Sequence, residues 1–391
     1  MKNKLVFISS HPIQYFAPLY AYLSKENKNV EAWYLTDETL KGSIDKEFGV
    51  PVKWDFPILE GYKYQFFKNN SFKKGIHKGF FGLVNLGIPK ALKKSEKLTV
   101  IIPGWQFFSY LLTLFAAKYY GHVTCLRIET PNCHKLIMTG IKQKIKNFIL
   151  KHFVFKYVDR FLYIGLENKK YYESFNIPHS KLIYTPYAVD NEKFQITAQK
   201  LLPLKNELKE KLGIPNDKFV ILYSGKYISK KNPLHLLKAI SVLENKDDYF
   251  IIFLGDGALR NTMEEYAINN KLTNILFTGF KNQSEIGAYY AVSNVFVMCS
   301  GLGETWGLST NEALNFGLPI VLSNLTGCSS DLVIEGVNGY VFNTGDIHGL
   351  AQKLAICYKQ FNTPNEIVCP QSISLINQYS FATINNNLST L

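Results

Sequence analysis

Val295-Phe-Val-Met-Cys-Ser300-Gly-Leu-Gly-Glu304-Thr-Trp-Gly307-Leu-Ser-Thr-Asn-Glu312-Ala-Leu-Asn-Phe-Gly317-Leu-Pro319-Ile-Val-Leu-Ser323 passes from strand to loop to helix and back to strand. The run Val295–Ser300 is almost continuously apolar, the pattern of a strand covered on both faces. A helical stretch follows, which Gly317 stops with Pro319 beyond it. Pro319–Asn324 then restarts a buried strand. Two buried strands joined by a helix are the repeating unit of a parallel sheet.

Two carboxylates, Glu304 and Glu312, bracket the start of that helix. Free backbone amides and the positive end of the helix dipole make such a start a seat for phosphate. Carboxylates on either side of the seat accept hydrogen bonds from hydroxyls flanking a diphosphate. A nucleotide-sugar has that layout: sugar hydroxyls, diphosphate, ribose hydroxyls. Two glutamates at this spacing also recur by chance as solvated side chains. The strand before them, Gly307 where backbone must approach a ligand, and the immediate return to a strand set this pair apart.

The same alternation extends outward. In the first half, strands are expected at Leu5–Ser9, Glu31–Thr36, Thr99–Pro103, Thr124–Thr130, Arg160–Gly165 and Lys181–Tyr187, with helices at Gln14–Lys25, Trp105–Tyr120 and Ile141–Tyr157. After the charged stretch Lys200–Lys218 the pattern restarts, with strands at Phe219–Gly225, Tyr249–Gly255, Ile275–Phe280, Val295–Ser300 and Pro319–Asn324. The predicted fold class is α/β, with two Rossmann-like doubly wound domains, 1–190 and 191–372. Residues 37–80 fit the alternation poorly and read as an insertion of loops or short strands. Ligands of such sheets sit at the carboxyl ends of strands. Chemistry is therefore sought in the loops after Ser9, Gly225, Gly255, Phe280 and Ser300.

At 391 residues with 47% hydrophobic and 14% aromatic content, the chain is a folded globular protein of two domains. No run approaches the about 18 apolar residues of a spanning helix, and the opening residues read as a first strand instead of a signal peptide. Six scattered cysteines without a Cys-x-x-Cys pair suit a reduced, cytosolic protein. The net charge of +13 is unevenly placed: residues 1–190 hold 28 Lys and Arg against 14 Asp and Glu, whereas residues 191–391 hold 16 against 17. The densest parts are Lys68–Lys97 and Ile141–Lys156, the latter alternating basic and apolar residues at helical spacing. Nucleic acid and anionic lipid both suit such a patch. No nucleic-acid-binding motif accompanies it, so the preferred partner is the anionic inner face of a membrane, with peripheral attachment.

Other features gather at the strand ends. Gly225-Lys226-Tyr-Ile-Ser-Lys230-Lys231 offers lysines to a diphosphate leaving group; an exposed basic loop is the plain alternative. Gly255-Asp256-Gly257 is a tight turn into a helix, where Asp256 would serve as a cap. It lacks the dinucleotide fingerprint. His11 and Gln14 are expected at the start of the first helix, and Glu129 at the end of Thr124–Thr130. No Asp-x-Asp and no His/Asp cluster of ligand spacing occurs, so no metal or other cofactor is expected, and lysines and amides are left to neutralise the diphosphate.

In combination, Gly225-Lys226-x4-Lys231, Gly255-Asp256-Gly257, Thr278-Gly279-Phe280 and Glu304-x7-Glu312 resemble the retaining glycosyltransferases of family 4, also called group 1. The N-terminal Ser-Ser-His-Pro-Ile-Gln-Tyr-Phe-Ala-Pro-Leu-Tyr and Pro186-Tyr-Ala-Val-Asp190 resemble one branch of that family. The resemblance implies a GT-B fold, two Rossmann-like domains facing a central cleft, with acceptors bound in the first half and a C-terminal helix (about 373–391) returning to the first domain. It implies that Lys226 and Lys231 grip the diphosphate, Glu304 binds donor-sugar hydroxyls and Glu312 the ribose. Amides around Gly307, Leu308 and Ser309 would bind the β-phosphate, with Gly225, Gly255, Asp256, Gly257 and Phe280 around the nucleotide. Two departures touch the sugar: the first loop is Ser-Ser-His-Pro where many members are Gly-rich, and Glu129 stands at or beside a position where many carry His. His11 and Glu129 thus join the catalytic candidates.

The activity so implied is metal-independent transfer, with retention, of a hexose or N-acetylhexosamine from a nucleotide-sugar, UDP being the expected carrier. The acceptor would be lipid-linked or a polysaccharide, in cell-surface glycan synthesis. Alternatives on the same architecture are a nucleotide-sugar 2-epimerase, a phosphorylase or a binding subunit without turnover.

Overall fold

The structure, a computed structural model, describes residues 4–26, 28–41, 57–362 and 368–391. It divides into two units. The first holds the described residues up to Lys41, those from 57 to Tyr187, and Phe381–Leu391. Its strands are β1 (Lys4–Ser9), β2 (Val30–Tyr34), β3 (Lys63–Phe66), β4 (Leu98–Ile102), β5 (Val123–Leu126), β6 (Arg160–Tyr163) and β7 (Leu182–Tyr184). Among the described residues they form one parallel sheet in the order β3-β2-β1-β4-β5-β6-β7. The central strands are apolar on both faces: Val6, Ile8, Val100 and Ile102 are buried on one face and Leu5, Phe7 and Ile101 on the other, whereas the edge strand β3 is largely exposed. Strand order reverses between β1 and β4, which opens a crevice for ligands at their carboxyl ends.

The second unit takes in Ala188–Ser380. Its strands are β8 (Phe219–Ser224), β9 (Tyr249–Leu254), β10 (Ile275–Phe277), β11 (Val295–Met298), β12 (Ile320–Ser323) and β13 (Gly339–Phe342). They run parallel in the order β10-β9-β8-β11-β12-β13, with Val295 opposite Ile221 and Phe219 opposite Tyr249. The reversal here lies between β8 and β11, and the loops after those two strands are the lysine loop and the Glu304 loop.

Every strand expected from the sequence is present; β1, β2, β4 and β5 start one residue earlier than expected, and all but β1 end one to a few residues sooner. Of the two edge strands β3 and β13, β13 was not foreseen, and β3 was expected only as one of the loops or short strands of an insertion. Each has only four residues, none of them buried in β3 and two in β13, too short a run for its period to stand out. β3 lies within the stretch 37–80 read as an insertion; of that stretch, residues 42–56 lie outside the described residues.

Helix boundaries differ more. The first helix begins at Ala17, not Gln14, because Ile13–Phe16 form a turn closed by Phe16 N donating to Ile13 O. The segment expected as one helix over Ile141–Tyr157 is an α-helix only to Ile149; Leu150–Val154 widens into a π turn that buries Leu150 and Val154. The C-terminal helix is two helices. Pro370–Ile376 belongs to the second unit and Phe381–Leu388 to the first. The break is held open where Asn191 Nδ2 donates to the carbonyls of Ile376 and Tyr379, both at 3.1 Å. The units divide between Tyr187 and Ala188, three residues before the expected boundary at 190.

Candidate functional site

In the second unit the carboxyl ends of β8 and β11 carry two loops that are tied together by backbone. Asn232 adopts the left-handed conformation, φ +46°, at the start of the helix Pro233–Ser241, and its Nδ2 donates to Cys299 O at 3.2 Å. Gly301 N donates to Lys230 O at 2.8 Å. The lysine loop and the Glu304 loop are thus one rigid piece.

On that piece, Lys231 Nζ pairs with Glu304 Oε2, and Ser300 Oγ donates to the same oxygen at 3.3 Å. Glu304 is 8% exposed. Burial raises its carboxyl pKa, but the adjacent Lys231 charge, with Lys230 and the Ser300 hydroxyl, outweighs burial and holds the pKa below the ordinary value. Glu304 is therefore an ionised, partnered carboxylate at the end of a buried strand.

Three residues on, Gly307 turns the chain into the helix Leu308–Asn315. Its φ is +105°, and a Cβ there would sit 2.7 Å from the Met298 sulfur. Only glycine brings the helix start this close to β11. Leu308 and Ser309 head the helix, where amides face away from any preceding turn; Ser309 Oγ donates to Ser224 O at 3.2 Å, fastening the helix start to the end of β8. Glu312 lies one turn further in and is 2% exposed. Tyr290 OH donates to its Oε2 at 2.7 Å and Gln283 Nε2 to its Oε1 at 3.3 Å.

The loops after β8, β9 and β10 also interlock. Gly255 N donates to Gly279 O at 3.2 Å, and a Cβ on Gly255 would meet Gly225 O at 2.1 Å. Asp256 does not cap the helix Arg260–Asn269, whose N-cap is Leu259. Its Oδ1 accepts from Gly257 N at 2.8 Å and its Oδ2 pairs with Arg260 at 3.0 Å, while Arg260 reaches Glu264 at 2.8 Å. Lys226 follows Gly225, its carbonyl accepting from Tyr223 OH at 3.2 Å. Phe280 follows Gly279 in the loop after β10, half-buried.

Lys226, Lys231, Gly225, Gly255, Asp256, Gly257, Phe280, Glu304, Gly307, Leu308, Ser309 and Glu312 therefore all lie on the carboxyl-end loops of one sheet. His11 and Glu129 belong to the other unit, at the carboxyl ends of β1 and β5. His11 Nδ1 lies 2.9 Å from Ser10 Oγ. Burial, reinforced by His77, lowers the His11 pKa to about 4, so its ring is neutral at pH 7. It stands six residues before the first helix, not at its start. Glu129 is paired with Arg127 at 2.5 Å. Among the described residues no group of three or more His, Cys, Asp and Glu is placed to hold a metal ion.

Ser300, Gln283 and Tyr290 were missed as site residues. Ser300 adjoins residues already singled out. Tyr290 sits in the buried helix Gly287–Val292 and reads from sequence as core; only the fold brings its hydroxyl to Glu312.

Residues 205–368 match the family of glycosyl transferases group 1. Over 181 residues the chain is 33% identical to an Escherichia coli protein, UDP-Gal:alpha-D-GlcNAc-diphosphoundecaprenol alpha-1,3-galactosyltransferase, covering 44% of each chain. Over 375 residues it is 25% identical to the capsular polysaccharide biosynthesis glycosyltransferase CapM of Staphylococcus aureus, covering 90% of this chain and 87% of that one. The chain spans about half the length, or less, of the curated relatives it matches first. Among solved structures, a glycosyltransferase from Rickettsia africae superimposes with a TM-score of 0.72 at 15% identity, over 100% of this chain and 98% of that one. Anabaena Alr3699/HepE in complex with UDP gives 0.73 at 14% identity, over 99% and 98%. These likenesses show the fold, two parallel-sheet α/β units of the GT-B class.

Proposed function

We infer that this chain, whose residues 205–368 belong to the glycosyl transferases group 1 family, transfers a hexose or N-acetylhexosamine from a nucleotide-sugar to a lipid-linked or polysaccharide acceptor. The observation that carries this reading is the ionised Glu304, held by Lys231 and Ser300 and followed directly by the Gly307 turn and a helix start. Amides of Leu308 and Ser309 would receive the β-phosphate, and Lys226 and Lys231 would take up the charge that grows on the departing diphosphate. Glu304 would accept hydroxyl hydrogen bonds from the sugar, and Glu312, fixed by Tyr290 and Gln283, from the ribose. Charge neutralisation by lysines and amides gives the protein's groups this role without a metal ion.

The chemistry that fits is departure of the diphosphate ahead of attack, through an oxocarbenium-like transition state, with the acceptor hydroxyl entering on the face the phosphate leaves. The leaving phosphate takes the proton, and configuration is retained. The protein contributes orientation and charge stabilisation. UDP as carrier is supported by the E. coli relative, named for a UDP-galactose donor, and by the Anabaena neighbour, solved with UDP. A lipid-linked acceptor is supported by the same relative's diphosphoundecaprenol-linked substrate.

Attachment to an anionic membrane face is supported by the first unit. The helix Ile141–Ile149 buries none of its side chains and exposes Ile141, Ile145 and Phe148 beside Lys142 and Lys144. No helix among the described residues is long and apolar enough to cross a membrane. All six cysteines are unpaired, which suits the cytoplasmic side.

The test is a melting-temperature screen against UDP, ADP, GDP and a panel of their sugars. A ligand that binds only the native state raises the midpoint. UDP and one UDP-sugar are expected to do so, with UDP released only when an acceptor is added. Conversion of the UDP-sugar to its 2-epimer with no net release of UDP would favour the epimerase alternative, and stabilisation by none of the panel would overturn the reading.

A further inference from the structure

In the first unit, the loop leaving β5 carries a charge pair outside the donor chemistry just described. Arg127 N continues the strand ladder, donating to Ile102 O at 2.9 Å, and its side chain turns inward, 8% exposed. The guanidinium lies 4.4 Å from the Tyr187 ring centroid and 5.1 Å from that of Phe16. Its Nη1 donates to Glu129 Oε1 at 2.5 Å. The Tyr187 hydroxyl is hydrogen-bonded to both members of the pair. Ile128 between them is pinned from the other side, its amide donating to Tyr172 OH at 2.7 Å and its carbonyl accepting from Asn168 Nδ2 at 2.8 Å.

A buried ion pair contributes little to stability that apolar side chains of the same volume would not. What this one supplies is position. The planar guanidinium fork, gripped by two rings, fixes the direction of a carboxylate. That carboxylate keeps a quarter of its side chain open to solvent and retains lone pairs that Arg127 does not occupy. It stands at the carboxyl end of a parallel strand, where such sheets bind ligands.

We propose that Arg127, held by Phe16 and Tyr187, is a positioning residue that fixes the Glu129 carboxylate as an acceptor for the hydroxyls of a sugar ring. This rests on the glycosyl-transfer reading. The sugar is that of the donor or that of the acceptor; the shared chemistry is a pyranose with adjacent hydroxyls.

The experiment compares wild type with Arg127→Met, Arg127→Lys and Glu129→Gln by calorimetric titration. UDP alone reports on the second unit and is expected to bind all four proteins equally. In the donor arm, the UDP-sugar that stabilises wild type best is set against UDP. In the acceptor arm, methyl glycosides of glucose, galactose and N-acetylglucosamine are titrated onto the UDP-bound protein by NMR. In one arm, Arg127→Met and Glu129→Gln are expected to lose the sugar's contribution at least tenfold, with Arg127→Lys restoring part of it; the arm that responds assigns the sugar. Unchanged sugar binding in both arms overturns the proposal, as does equal loss of UDP affinity, which marks a purely structural pair. Should Arg127→Met fail to fold, the near-isosteric Glu129→Gln decides alone. Failure of wild type to bind UDP would instead sink the glycosyl-transfer reading itself.

Discussion

Glu304 shows how one side chain links stability to chemistry. Burial disfavours its charge, yet Lys231 holds it ionised. Removing Lys231 leaves a buried carboxylate without its ion-pair partner, which costs about 3–5 kcal/mol of stability. In the proposed mechanism it also removes a cation from the departing diphosphate, worth about 3 kcal/mol or a hundredfold in kcat by comparison with an oxyanion donor. Lys231→Ala is thus expected to melt lower and to transfer about a hundredfold more slowly; near-wild-type turnover would remove Lys231 from the mechanism. Adding Glu304→Gln should recover stability but not turnover, since the unpaired charge goes and the missing cation stays missing. The pH dependence has a definite sign. The folded pKa lies below the unfolded value of about 4.3, so the pair's contribution is present above that value and is lost as pH falls through the folded pKa. The melting-temperature gap between wild type and Glu304→Gln should be constant near neutrality and narrow once pH falls below the unfolded value; a gap that does not change with falling pH would place its cause elsewhere. Both residues were legible because strand ends and helix starts announce themselves in sequence. Ser300 and Tyr290 were not, because a hydroxyl's partner is set by tertiary packing.

The helix Ile141–Ile149 was legible for a different reason. Its basic and apolar residues alternate at helical spacing, and the structure leaves that face uncovered, with Phe148 57% exposed. The π turn that follows was not, since it arises from the pull of Leu150 and Val154 into the core, which no local pattern encodes. If this helix lies on a membrane, each large apolar side chain contributes about 1.5–3 kcal/mol of burial and each nearby lysine about 1 kcal/mol at an anionic surface. Ile145→Ser with Phe148→Ser should therefore weaken binding to phosphatidylserine-containing vesicles at least a hundredfold in co-sedimentation. The melting temperature should not move, because neither side chain is buried. Lys142→Gln with Lys144→Gln should weaken binding less, and in a salt-dependent way. Equal binding of wild type to purely zwitterionic vesicles would leave the lysines without this role.

Both sheets are doubly wound, and their orders follow from a rule that strand alternation alone supports: short right-handed crossovers stack each new strand beside the last until the direction reverses. What the alternation cannot encode is where the chain leaves one unit for another. The family resemblance implied one C-terminal helix, and the break at 377–380 is dictated by partners far away in sequence: Asn191, and Trp306, whose ring lies 5.8 Å from that of Tyr379. Beyond the break, Phe381, Ile384 and Leu388 are buried in the first unit, and Asn387 Nδ2 donates to Tyr184 O at 2.9 Å beside the edge strand β7. At about 1.5–3 kcal/mol for each buried side chain, the three together rival the about 5–15 kcal/mol that holds an ordinary domain folded. Deleting Phe381–Leu391 is therefore expected to abolish the cooperative transition of the first unit while the second unit keeps its own transition and its stabilisation by UDP. Differential scanning calorimetry with and without UDP separates the two: the truncated chain should show a single UDP-shifted transition with reduced enthalpy. A truncated chain that melts with the enthalpy and midpoint of the full one would mean that the segment is not part of the first unit's core.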